Sequence, residues 1–503
     1  MKMNKTIAAF ILLMAGIASP IHSQVNNDIQ VNNENFNIEN EINITPESTP
    51  EEEPNATPES AERPFREIAN PSSWEYKLRN RLTPLITEAK RSKYSTGICV
   101  YDLTGDSVLF EFNSQKLMRP ASNQKLLTGI TALDQLGKDG EYSTSVYVKG
   151  HISRDQVMKI TERRILDEHF NEEAGGMVTT EIVLYDTTFV YKEVLHGNIY
   201  VKGTFDPLFT TEDLNDLSLA IGKLPFEEID GELIGDVSMK DSVVFGKGWC
   251  WDDMPSYYVP WLSPLLFNEG IRLKPKSDVY MKNPDTYFLN NLLTSLREKG
   301  KDIRNDQVRL SFLPTDAETG KQIYKKTHTV EDVLNRMMKK SNNQFAESMF
   351  YLVGYNNGQV GHPTTADDCA ERIREVMRKA ECKDVEETTI ADGSGLSLYN
   401  YVTPENEVMM LRYAYNNKHI FDPLYKNLPI AGVDGTISTR MKSGAAYKNV
   451  HAKTGTVKGV STLAGYMRAS NGNMLAFAIM NNGVATSAQG RNFQDRVCQA
   501  LAK

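Results

Sequence analysis

Apolar positions along the chain fall into contrasting regimes. From Ile7 to Ile17 they are continuous behind Lys2 and Lys5, then give way to small and polar residues up to Ser23-Gln24. A charged start, a short apolar run and a small-residue zone predict a removable signal peptide over 1–23, because the run is too short to span a bilayer comfortably. Residues 24–64 carry few apolar side chains: Asn and Glu dominate, then Thr45-Pro-Glu-Ser-Thr-Pro-Glu-Glu-Glu-Pro-Asn-Ala-Thr-Pro-Glu-Ser60. Such a stretch buries too little apolar area to offset its ordering entropy and predicts a disordered linker.

Periodic patterns begin near Phe65. Gly97-Ile-Cys-Val-Tyr101 and Val108-Leu-Phe-Glu-Phe112 flank a turn at Thr104-Gly105-Asp106 and predict a hairpin. Leu126, Leu127, Ile130, Leu133 and Leu136 then recur at helical spacing, entered by Pro120 and stopped by Gly137. Over 141–282 strand and turn signals prevail, in Ser145-Val-Tyr-Val-Lys149, Glu181-Ile-Val-Leu-Tyr185, Gly197-Asn-Ile-Tyr-Val-Lys202 and Val237 through Val244. Within that region Asp155 to Glu173 is crowded with charge and shows few strand signals.

Helical periodicity returns at Tyr287–Arg297 and at Val330–Lys339, the latter opened by a capping-box-like Thr329/Asp332 pair. It pauses at Ser341-Asn342-Asn343 and resumes through Phe345, Met349, Phe350 and Val353. Strands are expected over 450–458, 462–467 and 474–480, and a last amphipathic helix from Gln489 to Leu501. Strands and helices at both ends, split by a β-rich stretch, predict a discontinuous α+β domain over 65–140 and 283–503, interrupted by an inserted β-rich module over 141–282.

Composition narrows the function. The 503 residues suffice for two or three domains, and a net charge of −9 without a basic stripe excludes a nucleic-acid binder. No other stretch is long and apolar enough to span a bilayer either. The five cysteines and eight histidines show no metal-ligand spacing, so no metal or other cofactor is expected. Whether Cys369 and Cys382 bridge in an oxidising compartment stays open.

The chemistry lies in three short motifs in one order: Ser122-Asn-Gln-Lys125, Ser341-Asn-Asn343 and Lys453-Thr-Gly455. Residues three apart share a helix face, so the Ser122 hydroxyl and the Lys125 amine can meet. A serine hydroxyl attacks only when a neighbour takes its proton, and a desolvated lysine near a second cation such as Lys453 favours the neutral form that can do so. Ser341 can relay a proton to a leaving amine, and Asn343 can hydrogen-bond Lys125 or a substrate amide. Lys453 and Thr454 on a strand edge can hold a substrate carboxylate, and Gly455 leaves room for the backbone to approach. The backbone N–H groups of Ser122 and Thr456 are the expected oxyanion hole. Ser394, between two glycines, reads as a turn residue, His451 as a strand-face residue, Lys339-Lys340 as a solvated helix end, and Trp249 and Trp251 as packing.

These motifs resemble the signature of penicillin-binding proteins and β-lactamases. The chain after about residue 66 looks like the class C penicillin-binding proteins, the D-alanyl-D-alanine carboxypeptidase/endopeptidase family of the penicillin-binding protein 4 type. Asp392-Gly-Ser-Gly-Leu-Ser397, Leu428-Pro-Ile-Ala-Gly-Val-Asp-Gly-Thr436, Gly203-Thr-Phe-Asp-Pro207 and Gly248-Trp-Cys-Trp-Asp-Asp253 with Tyr257 are similar to segments of that family. The resemblance implies a β-lactamase/transpeptidase-like domain, an antiparallel sheet flanked by helices and interrupted by the insertion. It implies an exported, periplasmic enzyme that cuts peptidoglycan stem peptides after D-alanine, is acylated by β-lactams on Ser122, and can associate peripherally with membrane or wall. Leu398 stands where the family commonly has an Arg associated with the stem peptide's acidic side chain, so that preference is open. Two alternatives remain: a β-lactamase or esterase on the same fold, and a non-catalytic wall-binding protein.

Overall fold

The computed structural model describes residues 72–254, 258–272, 279–355 and 362–503, so the expected signal peptide and linker lie outside the described residues. Its first sheet has five antiparallel strands. The N-terminal hairpin gives β1 (Ser95–Asp102) and β2 (Ser107–Phe112); the chain's end gives β12 (His451–Val457), β13 (Val460–Arg468) and β14 (Met474–Asn482). They lie in the order β12-β13-β14-β1-β2, which leaves β12 as an edge. Alternation along these strands sends side chains to two cores. Ile98, Val100, Leu463, Met467, Leu475 and Phe477 pack with Leu78 and Leu82 of α1 (Trp74–Arg91) and Val497 and Leu501 of α10 (Ser487–Ala502). Cys99, Tyr101, Ala464, Tyr466, Ala476 and Ala478 face the opposite core. That core is built by α2 (Gln124–Gln135), α5 (Val330–Lys339), α6 (Asn343–Gly354), α7 (Ala366–Lys379), α8 (Pro404–Asn416) and α9 (Lys418–Asn427). Cover on both faces explains why β13 and β14 read as nearly unbroken apolar runs.

The second sheet has seven strands. Its path runs β10 (Val308–Ser311), β6 (Leu233–Asp236), β4 (Gly176–Gly203), β3 (Glu141–Asn171) and β11 (Lys321–Thr329), with β5 (Glu228–Asp230) beside β4 and β9 (Asp302–Ile303) beside β5. A two-stranded pair, β7 (Ile271–Arg272) and β8 (Val279–Tyr280), stands apart. The core of the second sheet joins Leu195, Ile199 and Val201 to Leu214, Leu217 and Ile221 of α3 (Thr211–Gly222) and to Phe288, Leu289, Leu292 and Leu296 of α4 (Pro284–Glu298). The elements built on this sheet therefore run on to Thr329, beyond the expected boundary at 282. Periodicity marked α4 as a helix, but it carries no information about which core the helix faces. α3 is a helix inside the stretch expected to be mostly β, capped by Thr210 and Asp213.

The charged stretch 155–173 also differs from its pattern: β3 and β4 stay paired from Thr144↔Gly203 to Asn171↔Gly176, so it forms half of a long ribbon. Both faces of the ribbon meet solvent over most of its length, which removes the one-sided alternation by which a half-buried strand is recognised. The register places exposed Met158, Ile160, Phe170, Met177, Tyr185, Phe189 and Tyr191 on one face. All five cysteines are free.

Candidate active site

Ser122 sits in a single turn, Ala121–Asn123, that leads into α2. The turn is pinned to the first sheet from its N-terminal side. Arg119 N donates to Asn482 Oδ1 at 2.9 Å, Asn482 Nδ2 returns a bond to Arg119 O at 3.2 Å, and Thr462 Oγ1 donates to Pro120 O at 2.7 Å. Ala121 takes φ +47°, a left-handed conformation that a non-glycine residue adopts only when its surroundings impose it. One such constraint is Gly395 (φ +78°), packed so closely that a Cβ there would lie 1.8 Å from Ala121 O.

Ser122 is half-buried, while Lys125, one helical turn on, is fully buried. The Lys125 amine reaches Ser122 Oγ at 3.0 Å, Asn343 Oδ1 at 2.7 Å and the Ser394 carbonyl at 2.7 Å. Burial pulls this amine from 10.5 down to about 7, against the opposing pull of Asp392 and Glu347. Close to half of it is then free base at neutral pH. This is the condition that a Ser–Lys pair needs.

The other two motifs converge on the same place. Ser341 occupies the junction between α5 and α6 at φ +58°, and its hydroxyl accepts from Lys453 Nζ at 2.7 Å. Asn343 begins α6 and donates from Nδ2 to Tyr258 O at 2.7 Å, which orients its Oδ1 toward Lys125. Lys453, fully buried on the edge strand β12, also donates to Thr454 O at 2.7 Å. Burial, and after it the charge on Lys125, hold the Lys453 amine well below its ordinary value. Thr454 is half-buried and its Oγ1 donates to Thr436 Oγ1 at 2.7 Å, while Thr456 is exposed. At Gly455 a Cβ would lie 2.5 Å from Pro120 O and 3.0 Å from Ser122 N, so only glycine lets the edge strand approach the Ser122 turn this closely.

Glu347 was not singled out from sequence, and several residues read as turn, packing or solvated positions turn out to bear on the site. Ser394 is a turn residue as expected, but its carbonyl is one of the three acceptors of Lys125. Asp392 organises that turn: Oδ1 accepts from Gly395 N at 2.8 Å and Oδ2 from Ser397 N at 2.7 Å and Trp249 Nε1 at 2.8 Å. Trp249 is packed, as expected, whereas Trp251 is 83% exposed. Lys339 is more than a solvated helix end, because it ties α5 to Leu428 O and Asp434 and so holds the segment that carries Thr436. His451 stacks on Tyr425 with ring centroids 4.1 Å apart. Glu347 is a carboxyl on the entirely buried α6, and a lone acid among Phe345, Ala346, Met349 and Phe350 was the signal available in sequence.

An antiparallel sheet clad by helices, with a buried Ser–Lys pair at the head of one helix beside an edge-strand lysine, is the architecture of the β-lactamase/transpeptidase-like class. The crystal structure of penicillin-binding protein 4 from Haemophilus influenzae has this fold: it aligns with a TM-score of 0.68 at 24% identity, over 84% of this chain and 98% of that one. A second crystal structure of that protein, complexed with a β-lactam, aligns at 0.61 and 23% identity over the same shares. In sequence, the D-alanyl-D-alanine carboxypeptidase DacB of Haemophilus influenzae is 25% identical over 458 residues, 78% of this chain and 86% of that protein. The chain belongs to the D-Ala-D-Ala carboxypeptidase 3 (S13) family, whose model matches residues 78–163, 177–275 and 272–503. It is a serine peptidase of that family. The unmatched residues 164–176 form the tip of the β3–β4 ribbon.

Proposed function

We propose that the protein is an exported, periplasmic DD-peptidase that hydrolyses the bond following D-alanine in peptidoglycan stem peptides, with Ser122 as nucleophile. The observation that carries the assignment is the buried Lys125 amine, bonded at once to Ser122 Oγ and Asn343 Oδ1. As free base, Lys125 takes the Ser122 proton while Oγ attacks the D-alanine carbonyl. The oxyanion forms against the backbone N–H groups of Ser122 and Thr456. Collapse of the tetrahedral adduct breaks the C–N bond, and Ser341, held by Lys453, passes a proton to the departing amine and regains one from the Lys125 ammonium, which returns to its free base. Water then attacks the ester carbonyl and returns Ser122 to its hydroxyl form. Lys453, Thr454 and Gly455 form the edge at which the substrate's C-terminal carboxylate sits, and Thr436 fixes the Thr454 hydroxyl that faces it.

The same chemistry makes β-lactams inhibitors, because their strained amide offers a carbonyl whose leaving amine stays tethered and blocks water. Residues 72–140 and 330–503 act as the catalytic unit and the second sheet as an inserted module. Residues 1–23 direct export and are removed, 24–64 act as a linker, and the protein associates peripherally with membrane or wall. The test is intact mass after penicillin treatment. Wild type should gain one penicillin mass and a Ser122→Ala variant none. An unmodified wild type, or an equal adduct on the variant, rejects the assignment, and fast penicillin turnover without D-alanine release would make the protein a β-lactamase instead.

A further inference from the structure

Glu347 acts on Lys125 from behind, through the Asp392–Ser397 segment, and belongs to none of the three motifs. Glu347 lies one turn beyond Asn343 on α6, 1% exposed. Its Oε1 accepts the Ser394 N–H at 2.9 Å and its Oε2 the Gly393 N–H at 3.3 Å. These two amides belong to the turn whose Ser394 carbonyl receives the Lys125 amine. Thr128 Oγ1, one turn after Lys125 on α2, holds the same turn by donating to Gly393 O at 2.8 Å. At Gly393 a Cβ would lie 2.3 Å from Phe350 Cβ, so the turn is pressed against α6.

We propose that Glu347 is a positioning residue for the reaction: its side-chain carboxyl group grips the Gly393–Ser394 turn, and through the Ser394 carbonyl it aims the Lys125 amine at Ser122. The inference rests on Lys125 being the base for Ser122. It assigns Glu347 a second consequence through charge. The charges facing it are Lys125 from α2 and Asp392 from the turn, while its buried neighbours Tyr351 and Cys369 are kept neutral. A cavity of about 260 Å³ also touches Glu347 and Asp392, and Asp241, Asp367 and Lys247 lie around it.

Burial and the Asp392 charge push Glu347 up to about 8, while the two N–H donors and Lys125 pull it back. Lys125 falls to about 7, so the acid and the amine titrate over the same interval and compete for one proton. An anionic Glu347 favours the charged amine. Removing that negative charge therefore lowers the pH at which Lys125 becomes a base. Shortening the side chain by one carbon keeps the charge but removes the reach to both amides.

The experiment measures the rate of penicillin acylation from pH 5 to 9 on the full-length protein, with melting temperatures in parallel. In Glu347→Gln the acid limb should move lower by up to about half a pH unit, as expected for losing an acid that is only partly ionised where Lys125 titrates, and the plateau should fall about tenfold. In Glu347→Asp the limb should stay near the wild-type position while the plateau falls by a similar factor. A Glu347→Gln profile that overlays wild type, with only the melting temperature changed, overturns the proposal. So does a wild-type rate in Glu347→Asp, even if the glutamine variant does not fold. Absence of acylation in wild type itself would instead reject Ser122 as the nucleophile.

Discussion

If Lys125 is the base, the acylation rate must follow its free-amine fraction, and the perturbation that exposes this is pH. With the amine at about 7, roughly 99% is free base at pH 9, half at pH 7 and about 1% at pH 5. The rate constant for acylation by penicillin should therefore halve between pH 9 and 7 and fall about a hundredfold by pH 5. An exposed lysine near 10.5 would behave differently, still gaining close to tenfold per unit at pH 9. Burial is the cause of the shift, so at neutral pH it supplies on the order of a thousandfold more free amine than an exposed lysine would. The assay is rapid mixing with a fluorescent penicillin at constant ionic strength, quenched and read as adduct mass. A rate flat from pH 5 to 9, or one still climbing steeply at pH 9, would refute the assignment of Lys125 as the base.

Further outcomes follow from the same geometry. Glu407, buried and bonded through Oε2 to Asn123 Nδ2 at 3.0 Å, is raised to about 8 by burial. A raised acid stabilises fully below its unfolded value near 4.5 and loses that contribution as pH climbs to 8. Glu407→Gln should therefore gain about 2–4 kcal/mol over wild type in urea unfolding at pH 9 and little at pH 5, and an equal change at both would contradict the charge account. Gly395→Ala must displace Ala121 and the Ser122 turn, so acylation should drop at least about a hundredfold, and a near-normal rate would show that the close approach is dispensable. Excising residues 156–191, which cross-pair as Gln156↔Tyr191 within the ribbon, should leave acylation within about twofold of wild type, since no catalytic group lies on it. A large loss would place the ribbon in the reaction.

The motif residues were legible because the chemistry demands particular side chains at fixed spacing: Ser122 and Lys125 one turn apart, Ser341 and Asn343 at a helix start, Lys453 and Gly455 on a strand. Helices α2, α4, α5, α6 and α10 and the strands of the first sheet were legible because they are amphipathic or wholly apolar. What stayed hidden was relational. The hydrogen bond from Lys125 to the Ser394 carbonyl uses a main-chain atom that any residue could supply, so no side chain marks it. α4 shows the same limit, since its apolar face fits either core and only the folded chain decides. The charged part of the ribbon, 155–173, was missed for the opposite reason: with water on both faces, selection for alternation is absent. Glu347 and Asp392 stand between these cases, each visible as an acid in an apolar or turn setting, but with a purpose apparent only once Lys125 lies beside them.

The most direct measurement is digestion of intact peptidoglycan sacculi by purified wild-type protein and by Ser122→Ala, with the muropeptides separated and free D-alanine quantified. The account predicts that wild type releases terminal D-alanine or cuts D-alanine cross-links and that the variant releases nothing. Unchanged sacculi after treatment with a wild-type protein that still binds them, or equal product from the variant, would contradict it.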